Sequence, residues 1–187
     1  MRLFVALEIP EEIRRALGVF IERLRYVARG ARWVRAEGLH VTLKFIGEMP
    51  SEAVPDLKKA LAGVHSGAAV DVRFRGGGFF PNERRPHVFW IGVEASPNLA
   101  ELAAAVDAQT TKLGVKAEDR AYAPHVTLAR FKSIDGVPQL REAVRALEPL
   151  EFGETRATEF HLIRSELMPG GSRYTRVASF PIAGSDS

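Results

Sequence analysis

Two histidines sit in nearly identical settings. His40-Val41-Thr42-Leu43-Lys44-Phe45 and His125-Val126-Thr127-Leu128-Ala129-Arg130-Phe131 share a His-Val-Thr-Leu core, 85 residues apart. The chain has only five histidines, so two in one repeated tetrapeptide exceed what chance offers. Imidazoles titrate near neutral pH, and a pair facing each other across a pocket supplies a base and an acid together. One histidine or one threonine on a strand has an ordinary structural explanation. The doubling does not, because a structural account must explain why a duplication kept the titratable residue and the hydroxyl.

Side chains alternate along a strand. His40, Thr42 and Lys44 therefore share one face, and Val41, Leu43 and Phe45 share the other, which belongs to the core. His125 and Thr127 are set against Val126 and Leu128 in the same way, which leaves Arg130 on the face opposite His125 unless a bulge turns it. Approximate two-fold symmetry brings the two His/Thr faces together, with Lys44 lining the groove. The arrangement suits a phosphodiester: one neutral imidazole takes a proton, the other as imidazolium gives one to the leaving oxygen. The threonine hydroxyls hold the non-bridging oxygens, where charge accumulates. This chemistry calls for no metal and no cofactor. His65, His87 and His161 lack ligand spacing. No Walker loop, nucleophile elbow or dinucleotide fingerprint is present.

With 187 residues, 46% hydrophobic and 26% charged, the sequence reads as one soluble globular domain or two small lobes sharing a core. It has no apolar run long enough for a membrane span, and its charged start does not read as a signal peptide. The absence of cysteine points to a cytoplasmic home without disulfide or thiolate chemistry. Net charge is +3, a mild lean toward polyanions. Arginine, 20 residues, outnumbers lysine, 6, and the arginine fork suits phosphate.

Periodicity places these motifs on a scaffold. A strand over 2–9 precedes a helix opening at Pro10, with Ile13, Leu17, Phe20, Ile21 and Leu24 on one face and Gly30 beyond it. A short strand at 32–34, a firm one at 39–46, a helix from Ser51 to about 65 and a strand over 69–75 closed by Gly76-Gly77-Gly78 follow. The order recurs with a strand at 87–94, a helix from Ser96-Pro97, the second motif strand at 123–131, a helix at 137–147 and a strand at 154–165. A hairpin turning at Pro169-Gly170-Gly171 returns through 173–182. β-α-β-α-β thus appears twice, over about 2–79 and 87–165, followed by a C-terminal hairpin over 154–182. The expected unit is a single bilobal domain over 1–182, with 183–187 a disordered tail. The interleaved helices also allow a parallel doubly wound sheet.

Trp33-Val34, Leu39 to Glu48, Tyr122-Ala123-Pro124-His125-Val126-Thr127-Leu128-Ala129-Arg130, Phe4-Val5-Ala6-Leu7 and the segment Gly171-x-x-Tyr174 give the chain a resemblance to the two-histidine phosphoesterases. Within them it resembles the RNA 2′,3′-cyclic phosphodiesterases, historically called 2′-5′ RNA ligases, over nearly its whole length. The resemblance implies a bilobal α+β fold with antiparallel sheets lining a central groove and helices outside. It implies hydrolysis of a terminal 2′,3′-cyclic phosphate to a 2′-phosphate, His40 as proton donor, His125 as proton acceptor, Thr42 and Thr127 on phosphate oxygens, and Arg130 as cationic helper. The implied partner is RNA with a cyclic phosphate end, tRNA fragments among them, and the implied state is a monomer. Three rivals are 2′-5′ ligation of tRNA halves by the reverse reaction, a non-catalytic RNA-end-binding module and a small-nucleotide phosphodiesterase acting on cyclic nucleotides or 2′-5′ oligoadenylates.

Tyr122, Phe80, Phe45, Phe79 and Trp33 are candidates to stack a base, with Phe79-Phe80 after the glycines the best placed. Core packing competes for each aromatic. Arg73, Arg75, Arg84 and Arg85 are candidates to steer RNA.

Overall fold

A computed structural model describes residues 1–184. In chain order its elements are β1 (Arg2–Glu8), α1 (Glu11–Leu24), β2 (Ala31–Trp33), β3 (His40–Glu48), α2 (Val54–Ala62), β4 (Val70–Phe80), β5 (Val88–Ala95), α3 (Asn98–Thr111), β6 (His125–Phe131), α4 (Val137–Ala146), β7 (Glu151–Ala157), β8 (Glu159–Met168) and β9 (Gly171–Pro181). Helix α1 shows how local sequence sets each boundary. Pro10 caps it with a preset φ, Glu11 and Glu12 complement the dipole of its first turn, and Ile13, Leu17, Phe20, Ile21 and Leu24 form its buried stripe.

The strands form two sheets, ordered β3-β1-β8-β9 and β2-β6-β5-β4-β7. Every pairing within them is antiparallel, so the parallel doubly wound alternative is set aside. The orders correspond: β3-β1-β8-β9 in one sheet matches β6-β5-β4-β7 in the other. Yet the sequence halves do not make one sheet each. Strand β4 of the first half pairs with β5, and β8 of the second half pairs with β1. Each sheet takes strands from both halves of the chain: β8 and β9 join β1 and β3, and β2 and β4 join β5, β6 and β7.

Three expectations change. The strand read over 154–165 is two strands, β7 and β8, which part at Thr158 and join different sheets. The strand β4 does not close at Gly76-Gly77-Gly78 but runs through them to Phe80 with a register shift. In the tail, Ala183 bridges to Ser66, and 185–187 lie outside the described residues.

One apolar cluster joins both sheets through Leu3, Val5, Leu7, Val41, Leu43, Phe74, Phe89, Ile91, Val126 and Leu128. Helix α1 covers the second sheet, where Phe20 packs on Phe89 and Phe152. Helix α3 lies on β3, and α2 lies on α3 and β9. The opposite faces, the candidate groove side, carry His40, Thr42 and Phe45 on one sheet and His125, Thr127 and Arg130 on the other, with Phe4, Ala6 and Ile163 buried as a small separate cluster on the first. Strands β3 and β6 contact each other where the sheets meet.

Candidate active site

The two motif strands carry the same irregularity. In β3, Ala6 pairs with Thr42 but Val5 with Lys44, so Leu43 is an extra residue; in β6, Trp90 pairs with Thr127 but Phe89 with Ala129, so Leu128 is extra. Each bulge reverses the alternation after the threonine. Burial follows it: Leu43 and Lys44 are both buried, as are Leu128 and Ala129, while Phe45 and Arg130 are exposed. Arg130 therefore shares the open face with His125 and Thr127. Its counterpart on the His40/Thr42 face is Phe45. Lys44 does not line the groove: the bulge turns it to the core side, where 1% of its side chain is exposed and its Nζ donates to Asp107 Oδ1 at 2.6 Å, the Lys116 carbonyl at 2.6 Å and Glu118 at 3.3 Å.

The imidazoles are held alike. His40 Nδ1 lies 3.0 Å from the Gly38 carbonyl and His125 Nδ1 lies 2.9 Å from the Ala123 carbonyl, each two residues upstream. A carbonyl only accepts, so Nδ1 carries the hydrogen in both rings and Nε2 is the reactive nitrogen. Their surroundings differ. His125 is exposed, whereas His40 is half-buried between Phe4 and Tyr174, whose ring centroids lie 5.4 Å and 5.3 Å away in edge-on arrangements. A Cβ at Gly38 would come within 2.8 Å of the Tyr174 ring, so only glycine lets that ring close on the histidine. Burial pushes the His40 pKa down, partly offset by the Gly38 carbonyl and by the negative charge of Glu8. Glu8, cross-strand from His40, is kept ionised by its paired contacts with Arg176.

The two motifs are tied together. The Tyr122 hydroxyl donates to the Thr42 carbonyl at 2.9 Å, linking the segment just before His125 to the strand of His40. Tyr122 is thus a brace for the motif strands, and burial raises its pKa. The contacts of Lys44 with residues 116 and 118 hold the same segment further upstream.

A family described as LigT-like phosphoesterase matches the chain twice, over residues 7–90 and 91–174. The chain is 39% identical to the RNA 2′,3′-cyclic phosphodiesterase of Thermus thermophilus, covering 98% of this chain and 91% of that protein. It is 36% identical to the Methanocaldococcus jannaschii protein of the same name, covering 93% and 96%. The chain belongs to the LigT-like phosphoesterases. Its fold superposes on the crystal structure of Escherichia coli LigT complexed with 3′-AMP with a TM-score of 0.77, at 29% identity over 98% of both chains.

The open faces of this LigT-like phosphoesterase carry further side chains. Phe80, 50% exposed, lies on the groove side of β4. Phe79 does not, because it stacks on Phe89 in the core with centroids 4.9 Å apart; Trp33 likewise packs edge-on against Phe89. Arg73 and Arg75 pair with Glu151 and Glu94. Sequence reasoning passed over Trp90, which pairs with Thr127 across β5 and β6. A Cβ at Gly78 would collide with its indole ring, so the glycine lets the indole lie flat on the open face. The signal was available: Phe89, Ile91 and Val93 mark the core side of β5, which leaves Trp90 on the other. Tyr174 and Glu8 were also missed as site residues, since nothing local in the sequence places β9 or β1 beside His40.

Proposed function

We propose that this protein hydrolyses the 2′,3′-cyclic phosphate at an RNA end to a 2′-phosphate, with the paired histidines as acid and base. The observation that carries the reading is the matched presentation of two Nε2 atoms on contacting strands, each with a threonine two residues on, in a chain whose relatives are named for this reaction. These names favour hydrolysis over joining as the reaction.

The steps follow from the groups present. His125 Nε2 accepts a proton from water as the water oxygen bonds to phosphorus. The P–O3′ bond breaks on the opposite side, and His40 Nε2–H gives its proton to the departing 3′ oxygen. Thr42 and Thr127 hydroxyls and the Arg130 guanidinium hold the non-bridging oxygens as charge builds on them. Each histidine ends in the other's starting state, and exchange with solvent resets the pair. Burial opposes the charged form of His40, the Glu8 carboxylate offsets this in part, and the negative charge of a bound phosphate adds to that offset. Phe80, Trp90 and Phe45 offer faces on which the terminal base stacks. We assign the role of a single bilobal unit to residues 1–182, acting as a monomer in the cytoplasm on RNA fragments that include tRNA halves.

The test is product analysis. An oligonucleotide ending in a 2′,3′-cyclic phosphate, incubated with excess chelator, should give a 2′-phosphate; formation of a 3′-phosphate, or of a joined product when 5′-hydroxyl RNA is added, contradicts the reading. Abolition of turnover by the chelator contradicts its metal independence.

A further inference from the structure

Strand β2 is only three residues long, yet it places an arginine beside the site. Arg32 pairs directly with Arg130 across β2 and β6. Their neighbours fix which way they face. Trp33 packs on Phe89, and Ala129 is buried, so both lie on the core side. Arg32 and Arg130 are exposed on the other side, the face of His125 and Thr127. Neither guanidinium has an acidic partner among the described residues, whereas Arg73, Arg75, Arg145, Arg164, Arg173 and Arg176 all do.

Like charges directly opposite each other across two strands destabilise a sheet. Paired strands lie about 4.8 Å apart, so the two side chains leave the sheet as neighbours, with no acidic partner for either among the described residues. The pair is relieved when each takes a phosphate, for which the planar fork is suited. Arg130 stands on the strand of His125 and Arg32 one strand further out, which favours a separate phosphate for Arg32. The loop after Phe80 continues the same end of the sheet, and it carries Arg84 and Arg85 with no acidic partner among the described residues.

We propose that Arg32 is a second phosphate-binding residue, which takes the 5′-phosphate of the nucleotide whose cyclic phosphate occupies the histidine site. This rests on the reading of that site given above. Arg130 serves the reacting phosphate, and Arg32 serves the next one along the chain. The enzyme thereby distinguishes the end of a polynucleotide from a bare nucleoside 2′,3′-cyclic phosphate, which lacks that group.

Two ligands that are not turned over isolate the effect. Binding of adenosine 3′-phosphate and adenosine 3′,5′-bisphosphate is measured by calorimetry on the wild-type chain, on Arg32→Gln and on Arg130→Gln. The wild type should bind the bisphosphate about tenfold more tightly. Arg32→Gln should bind both with the affinity of the wild type for the 3′-phosphate, and Arg130→Gln should weaken both. Arg32→Lys should keep part of the preference. A wild type that binds the two alike, or an Arg32→Gln variant that keeps the preference with an unchanged melting temperature, overturns the proposal. Failure of the underlying reading would show separately, as no hydrolysis by the wild type of an oligonucleotide ending in a 2′,3′-cyclic phosphate.

Discussion

The two imidazoles are chemically alike, and their environments set them apart. Both are locked with Nδ1 on a carbonyl, so the tautomer is fixed before substrate arrives. His40 is the one packed between aromatic rings, Phe4 and Tyr174, and burial lowers its pKa. An acid in that position needs a nearby negative charge, and Glu8 supplies it. Replacing Glu8 with Gln should therefore move the His40 ring titration, followed by NMR, further to acid. The alkaline limb of kcat/KM assigned to His40 should fall with it, because the protonated form is lost at lower pH. An unchanged His40 titration contradicts the role given to Glu8. Thr42→Val and Thr127→Val should each lower kcat by about 100-fold, as loss of one oxyanion donor does, with little change in melting temperature. The histidines and threonines were legible in the sequence because the motif is repeated. Glu8 was not, since its partners His40 and Arg176 are 32 and 168 residues away.

The two bulges decide which side chains enter the groove. Regular alternation, applied to His40-x-Thr42-x-Lys44, puts Lys44 with the histidine and Arg130 against it, and the structure reverses both. A clue was present in Leu128-Ala129, two successive core-type residues where alternation demands one. The buried Lys44 ties β3 to α3 and to the segment leading to His125. Lys44→Met should cost about 3 kcal/mol, the low end for breaking a buried pair, since Asp107 is partly exposed. The Lys44 ammonium beside Asp107 holds that carboxyl below its ordinary value. Its contribution is present above the unfolded value and is lost as pH falls through the folded one. The gap in thermal stability between wild type and Lys44→Met should accordingly narrow below about pH 4. A gap that widens there contradicts the ion pair. At Gly78 the added methyl of Gly78→Ala must displace the Trp90 indole, so tryptophan emission should shift and affinity for nucleotide should fall.

Taken whole, the molecule is two copies of one pattern that share strands. The repeat, the helices and most strands were readable from periodicity. The exchange was not, because nothing in β4 or β8 records which sheet it will join. That choice is made by long-range pairing, and it explains the strand read over 154–165, whose two parts lie in different sheets. It has a consequence for the halves. Cut in the loop between β4 and β5, residues 1–84 carry β4 without β5 and lack β8, which completes the sheet of β1. Neither fragment alone should show a cooperative thermal transition by circular dichroism, and mixing the two should restore one. An isolated half that unfolds cooperatively contradicts a core shared across both sheets.

Two histidines each carry one proton transfer of a single displacement, His125 taking a proton from water and His40 giving one to the 3′ oxygen. This division is tested most directly by the initial rate on an oligonucleotide ending in a 2′,3′-cyclic phosphate, with chelator present, for wild type, His40→Ala, His125→Ala and the double variant. Loss of either imidazole should reduce the rate by about 100-fold or more, and the double variant should be little worse than the poorer single, because the pair acts as a unit. Folded single variants that retain the wild-type rate would contradict the account.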